Sequence, residues 1–150
     1  MRIYAFASNT LTNIWAGVGA GRWAVSPSDN MSYTKGRTTR SQKMPIGAGG
    51  ILYCNEIKSF TTPFIVYSVP NPNEIVDEIW PEPWVLPFLI KPLGDPRCSM
   101  PLATAKKLLP SLQEQGANVN NTIYVHGKMA FTQSKLTEWD WAVLISELAI

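Results

Sequence analysis

Three of the six tryptophans in this 150-residue sequence lie in segments whose glycines and prolines predict loops. Trp23 follows Gly21, and Trp80 and Trp84 flank a proline-rich run. An indole in a loop either packs into the protein core or stacks on a flat ligand. A nucleobase suits an aromatic face well, at roughly 1–3 kcal/mol per stacked base. Both interpretations are open for each of these side chains.

The sequence contains no recognisable catalytic motif. It has no GxSxG or HExxH motif, and its two cysteines, Cys54 and Cys98, form no CxxC pair. His126 is the only histidine and precedes Gly127 in a predicted turn, so a role in the turn competes with a role as a general base. We therefore predict a binding domain rather than an enzyme, with no metal and no other cofactor.

Four basic residues and no acidic residue lie between Lys35 and Lys43, the other two being Arg37 and Arg40. They belong to a polar segment, residues 27–45, that we predict to be a mobile surface loop. Flexible charges of this kind contact phosphates without reading bases, although solvation alone also explains them. The net charge of +2 neither excludes nor indicates nucleic acid. Three carboxylates near the tryptophan segment can accept a base amino group or remain solvated: Glu78, Glu82 and Asp95.

The composition is that of one folded domain spanning residues 1–150. Hydrophobic residues make up 45% of the chain and charged residues 16%, which is typical of a globular protein. The low charged fraction indicates that a partner, or the rest of a longer protein, covers part of the surface; this domain would then be an N-terminal module. The cysteine usage indicates a reduced, cytoplasmic protein. No apolar run approaches the roughly 18 residues of a membrane span.

The predicted strands are short. They cover residues 2–7, 23–26, 51–54, 63–69 and 85–93, and the prolines of the last strand favour a sheet edge or irregular ends. Residues 8–22 are predicted as a glycine-rich loop with one helical turn.

The apolar periodicity predicts helices at residues 100–115, ended by Gly116, and at 134–149. In the second helix, Trp139 shares an apolar face with Val143 and Leu144. A hairpin is predicted at residues 122–132. The prediction is an α+β domain: a small, twisted, partly closed sheet or barrel with two or three flanking helices.

Six short segments, in their order along the chain, resemble the PUA-like superfamily and specifically its EVE-type and YTH-type domains. Gly21–Ser26 resembles the YTH stretch that supplies a cage tryptophan, and Ser8-Asn9 resembles a stretch that contacts the bound base. Gly49–Tyr53 resembles a turn and buried strand of these families, with Gly50 where Asp is common. The remaining matches are Phe64–Val69, Ile79-Trp80 and Pro87–Leu93.

The resemblance implies a nucleic-acid-binding module that recognises a methylated base flipped out of its stack, because the methyl group can be enclosed only there. It implies an aromatic cage formed by Trp23, Trp80 and Trp84. The residues implied to contact the base are Ser8, Asn9, Ala24 and Ser26. Those expected at the nucleic-acid backbone are Lys35, Arg37, Arg40 and Lys43.

The implied partner is nucleic acid, with modified DNA favoured over RNA and with no membrane involved. The module would be the specificity domain of a modification-dependent restriction system, with a nuclease or ATPase fused to it or associated with it. The alternative is a PUA-like domain that binds or processes RNA without preference for a modified base.

Overall fold

The computed structural model describes residues 1–115, 119–123 and 129–150. Seven strands and six helices occur in this part of the chain. The strands are β1 (Ile3–Ser8), β2 (Arg22–Val25), β3 (Gly49–Cys54), β4 (Ser59–Val66), β5 (Ile75–Val76), β6 (Trp84–Pro92) and β7 (Ser99–Pro101). The helices are α1 (Leu11–Ala20), α2 (Met31–Ser41), α3 (Leu102–Leu108), α4 (Pro110–Gln115), α5 (Asn120–Ile123) and α6 (Glu138–Leu148).

The strands form one sheet, in which five of them follow the order β1-β3-β4-β6-β2. β1 pairs in parallel with β3, and the other neighbours in this order are antiparallel. The short strands β5 and β7 pair with β6 and β4. The second edge of β1 is partly covered by the segment at Ser134, whose N–H and Oγ both donate to the Ile3 carbonyl.

The sheet is curled, as shown by aromatic rings on non-neighbouring strands that contact one another inside it. The ring of Phe6 on β1 lies 5.5 Å from that of Phe88 on β6, although two strands separate them in the sheet. Phe64 and Phe131 belong to the same interior cluster. A second apolar cluster, on the other face of the sheet, includes residues from α3 to α6. The predicted α+β fold with a small, partly closed sheet is confirmed, with six helices in the described residues rather than two or three.

The glycine-rich segment after β1 is a helix, α1, rather than the predicted loop. Thr10 caps it by accepting a hydrogen bond from the Asn13 N–H at 3.2 Å, and Gly21 ends it with a left-handed φ of 66°. Gly17 lies inside the helix, where a Cβ would be 2.8 Å from Cε3 of Trp23. Glycine costs a helix about 1 kcal/mol relative to alanine, but here the close approach of Trp23 requires it.

Residues 27–45 were also predicted incorrectly, since most of them form α2. Asn30 caps this helix by accepting from the Tyr33 N–H at 2.9 Å. The hydroxyls of Thr38 and Thr39 donate to carbonyls four residues earlier in the helix. Because α2 has few apolar residues, the sequence lacks the apolar periodicity from which a helix is normally predicted.

β6 lies inside the sheet, contrary to the edge position that its prolines favoured. It has β2 on one side and both β4 and β5 on the other, since Val85 pairs with Val25 of β2 and with Ile75 of β5. Its irregularity is local: Leu86 adopts a φ of 57°, and the register between β2 and β6 shifts between Trp23 and Val25. This irregularity occurs next to Pro87, which has no N–H to donate to a neighbouring strand.

The C-terminal third differs from the prediction in two further ways. Pro110 interrupts the helix predicted at residues 100–115, so that α3 and α4 are separated at Leu109, which has extended backbone. Thr122 and Ile123 lie in α5 instead of in a hairpin strand. His126 and the predicted cap at Gly116 lie outside the described residues.

α6 confirms the helix predicted near the C-terminus, but its buried face differs from the prediction. Leu144 and Leu148 are buried together with Asp140, whereas Trp139 is 77% exposed. Among the helices that the structure describes, none combines the length and the apolar character needed to cross a bilayer.

Candidate functional site

A cavity of about 800 Å³ opens between β1 and β2, the two ends of the curled sheet. The last residues of β1 and the start of the following loop form one wall, and β2 with the segment after it forms another. Helix α2 and the loop before β6 complete it. The residues that line the cavity and were predicted to bind the base are Ser8, Asn9, Trp23, Ala24, Ser26 and Trp84. Six residues predicted to bind the base thus lie together at this cavity.

Trp23 and Trp84 line the cavity, whereas Trp80 lies behind them. The rings of Trp80 and Trp84 are stacked at 4.4 Å, and Trp23 meets both edge-on, at 5.7 Å and 5.5 Å between ring centroids. Trp80 is 3% exposed, and its Nε1 donates to the Asn13 carbonyl at 2.9 Å. It therefore buttresses Trp84 and does not form the third wall of the predicted cage.

The edge-on packing leaves no slot between Trp23 and Trp84 for a planar ligand. Trp23 is 1% exposed and Trp84 is 8% exposed, so both are core residues with one surface at the cavity. Trp23 and Trp84 therefore pack in the core and also form part of the cavity wall. A ligand in the cavity meets the limited aromatic surface that remains exposed, beside the backbone of Ala24.

The polar groups at the β1 end of the cavity are partly used by the fold. Ser8 Oγ donates to the Thr10 carbonyl at 2.9 Å and accepts from the Thr10 N–H, which shapes the turn into α1. The side chains of Asn55 and Asn9 are joined by a hydrogen bond of 3.0 Å. This bond leaves the amide group of Asn9 able to donate and the carbonyl of Asn55 able to accept from a ligand.

The four predicted backbone contacts occupy three different environments. Lys35 and Lys43 are exposed, as a phosphate contact requires. Arg40 donates from Nε and Nη2 to the carbonyl of Ala130, at 3.4 Å and 3.3 Å. Ala130 itself lines the cavity. Arg37 is 3% exposed and lines the cavity itself. Arg37 is therefore not a mobile surface charge, because its position on α2 places its side chain against Ser26, just after β2.

Arg37 is held by two contacts. Its Nη1 donates to the Ser26 carbonyl at 2.9 Å, and its guanidinium carbon lies 5.3 Å from the centroid of the Tyr33 ring. The remaining nitrogens, Nε and Nη2, are buried and have no hydrogen-bond partner within the described ranges. Glu82, a flanking carboxylate near the tryptophans, also lines the cavity, whereas Glu78 and Asp95 do not; no ion pair joins Glu82 to Arg37 among the described residues.

Five polar residues of the lining were not predicted from the sequence: Asn13, Ser28, Tyr33, Asn55 and Asn120. Asn13 belongs to the helix that was predicted as a loop, and Tyr33 belongs to the second such helix. The spacing of Tyr33 and Arg37, four residues apart, would place both on one helical face. An Asn at position 30 is a helix-cap signal that could have revealed α2. No local pattern pointed to Asn55, which reaches the site through the pairing of β3 with β1.

The described residues contain no cluster of three or more histidine, cysteine or acidic side chains placed to hold a metal. The cavity lining instead combines two indoles, several amides and hydroxyls, one guanidinium and one carboxylate. Such a set can hold a flat, polar ligand by aromatic contact and hydrogen bonds.

Structural comparison identifies the fold as that of YTH domains. The YTH domain of the Zygosaccharomyces rouxii MRB1 protein, in complex with N6-methyladenosine RNA, superposes with a TM-score of 0.61 at 14% identity, over 98% of this chain and 88% of that one. The Pho92 YTH domain in complex with m6A gives a TM-score of 0.61 at 13% identity, over 97% and 84% of the two chains. The MmI1 YTH domain gives 0.59 at 14% identity, over 97% and 93%.

No protein-family model matches the sequence, and no curated protein sequence matches it either. The similarity to YTH domains therefore lies in the fold alone.

Proposed function

We propose that this protein is a binding domain that holds one flipped-out nucleotide of a single-stranded RNA and prefers a methylated base. The observation that carries the proposal is the cavity between β1 and β2, where Trp23 and Trp84 present aromatic surface beside the amides of Asn9 and Asn55. The described lining has no nucleophile–base pair of the kind that acyl or phosphoryl transfer needs.

The mixed lining suits a methylated base better than an unmodified one. A methyl group placed against Trp23, Trp84 or Ala24 removes apolar surface from water, and one such group in an apolar pocket is worth about 1–3 kcal/mol. The polar edge of the base would be read by the amides of Asn9 and Asn55. Glu82 would accept a hydrogen bond from an exocyclic amino group, the role considered for it from the sequence.

We propose RNA, and not DNA, as the binding partner. The resemblance drawn from the sequence favoured modified DNA and a restriction system, yet the solved complexes that share this fold are named for N6-methyladenosine RNA, m6A and RNA. None of these comparisons supports a fused nuclease or ATPase. We also propose that residues 1–150 form a single domain, since the chain returns from Ser134 to hydrogen-bond with Ile3.

Fluorescence anisotropy with matched oligonucleotides tests the proposal. The probes are a short single-stranded RNA with one N6-methyladenosine, the same RNA with adenosine, and the two corresponding DNA strands. The methylated RNA is expected to bind about 10–200-fold more tightly than the unmodified RNA, the range that one apolar group can supply. Equal affinity for both RNAs would favour the alternative, an RNA-binding domain without base preference. Tighter binding of methylated DNA than of methylated RNA would instead favour modified DNA, the partner expected from the sequence.

Lys35 and Lys43 are expected to contact RNA phosphates without affecting base preference. In the double variant Lys35→Gln, Lys43→Gln, the slope of log affinity against log salt should fall by about 1.4, or about 0.7 per contact on a single strand. Between 50 and 200 mM salt, the wild-type protein would then lose about sevenfold more affinity than the variant.

The control for the lysine prediction is Lys106→Gln, Lys107→Gln, which removes the same charge from α3, on the other side of the sheet. Titrations of both variants at several salt concentrations measure the slopes. An unchanged slope in the Lys35, Lys43 variant would show that RNA approaches from elsewhere. A loss of preference for the methylated RNA would show that these lysines act inside the site.

A further inference from the structure

The guanidinium of Arg37 is a buried cation whose hydrogen-bonding capacity is only partly used. It is 3% exposed, and only Nη1 has a partner, the Ser26 carbonyl at 2.9 Å. No carboxylate forms an ion pair with it within the described parts of the chain. A buried charge without a counter-ion destabilises a folded protein, so this arrangement contributes little to stability and calls for a different explanation.

The unused nitrogens form one particular edge of the guanidinium. Nε and Nη2 point their N–H groups in parallel, and both are buried and unpartnered in the described structure. This edge matches two oxygens of one phosphate or carboxylate group. Tyr33 packs against the guanidinium and Ser26 holds the opposite nitrogen, so the edge is held in a fixed orientation without a ligand.

Arg37 lines the same cavity as Trp23 and Trp84. A volume of about 800 Å³ lies in the upper part of the roughly 300–1,000 Å³ that small-ligand sites occupy. The cavity therefore has room for a sugar and a phosphate in addition to a base.

We propose that the free Nε–Nη2 edge of Arg37 binds a phosphate group of the nucleotide whose base contacts Trp23 and Trp84. The cavity then recognises a nucleoside monophosphate unit, and not a base alone. The inference rests on the proposed function for the location of the base. It differs from the contacts assigned to Lys35 and Lys43, because it places a phosphate inside the cavity.

A phosphate explains Arg37 better than the edge of a base does. The two acceptors of a base edge would satisfy the two N–H groups but would leave the buried charge uncompensated, whereas a phosphate supplies both acceptors and the counter-charge. Glu82 is the other charged side chain on the described lining and does not pair with Arg37. The cation therefore lacks a counter-ion among the described residues, and an anionic ligand would supply one after the atoms that cover this edge shift.

Isothermal titration with small ligands tests this inference. The probes are adenosine, N6-methyladenosine, and the 5′- and 3′-monophosphates of both, with inorganic phosphate as a competitor. The wild-type protein is expected to bind one of the two monophosphate isomers at least about tenfold more tightly than its nucleoside, since two charge-assisted hydrogen bonds form. In Arg37→Met, this ratio should fall to near one while nucleoside affinity is retained. Lys107→Met, which removes an exposed cation of α3 on the other side of the sheet, should keep the wild-type ratio.

Several outcomes would overturn the role of Arg37. One is a wild-type ratio in Arg37→Met; another is an equal loss of nucleoside and monophosphate affinity, which would place Arg37 on the base. Absence of binding by every monophosphate at millimolar concentration would do the same. Arg37→Met is expected to unfold at a higher temperature than wild type, because an uncompensated buried charge is removed. If Arg37→Met fails to fold, Arg37→Lys is used instead, because lysine keeps the charge but lacks the two parallel N–H groups. A ratio of monophosphate to nucleoside affinity between one and the wild-type value supports the proposal, and a wild-type ratio contradicts it.

The two proposals fail in different ways. If methylated and unmodified RNA bind equally, the preference for a methylated base is wrong. The comparison of adenosine with its monophosphates still measures the Arg37 contact, because it does not involve the methyl group.

Discussion

Replacing Trp23 with alanine is expected to lower the free energy of unfolding by about 3–5 kcal/mol, the usual cost of removing a fully buried tryptophan. The side chain is 1% exposed and packs edge-on against both Trp80 and Trp84, so its loss leaves a cavity beneath both indoles. RNA binding should disappear in the same variant. Stability and binding should both fall in this variant, because the same indole belongs to the core and to the cavity wall.

Urea denaturation followed by circular dichroism measures the first effect of Trp23→Ala, and anisotropy below the unfolding transition measures the second. Trp139→Ala is the matched control, because that indole is 77% exposed on α6 and its removal should change neither quantity. Trp80→Phe separates the two roles, since Trp80 supports Trp84 from behind and should affect stability more than affinity. Wild-type stability in Trp23→Ala would mean that the indole cluster does not form.

Asp140→Ala is expected to cost about 2–4 kcal/mol of stability, through the loss of hydrogen bonds to a buried carboxylate and of a helix cap. Asp140 is fully buried at the start of α6. Its oxygens accept from the N–H and Oγ of Ser111, at 3.0 Å and 2.5 Å, and from the N–H of Thr137 at 2.7 Å. Without the carboxylate, the donors of Ser111 are left buried and unsatisfied, and α6 loses these hydrogen bonds to α4.

The midpoint of urea unfolding, at an unchanged slope, measures the loss in Asp140→Ala. Asp140→Asn should fall between alanine and wild type, because it keeps the shape and one acceptor oxygen. Glu147→Ala, an exposed acidic position in the same helix, should change stability by no more than about 0.5 kcal/mol. A similar loss in the Glu147 variant would point to helix propensity rather than to the buried network.

The strands could be predicted from sequence because each carries its own signal. Apolar runs such as Ile51–Cys54 are buried in the sheet, and the five strands predicted outside the hairpin all correspond to strands of the sheet. The helices α1 and α2 could not be predicted in this way. Gly17 occurs in α1 because of its contact with Trp23, which is tertiary information. α2 lacks the apolar face from which a helix is normally predicted, and its hydrogen bonds from the cap and from threonine hydroxyls leave no periodic pattern in the sequence.

Six of the seven residues predicted to bind the base line one cavity, although two of the elements around it were predicted incorrectly. Ser8, Asn9, Trp23, Ala24, Ser26 and Trp84 do meet at one cavity, since the strand ends on which they lie were placed correctly. The error over Trp80 has a physical cause: three indoles so close together must partly bury one another. The environment of Arg37 was out of reach, because it depends on a helix that the sequence did not reveal.

The position of β1 has a consequence for the order in which this chain folds. β1 leaves the ribosome before the other strands of this sheet, yet Ile3 pairs with Gly49 on one edge and with Ser134, 131 residues away, on the other. Contacts so distant along the chain slow folding, and until the last of them forms, β1 exposes an unpaired edge that can associate with other chains. We therefore expect the segment around Ser134 to cover this edge of β1 late in folding.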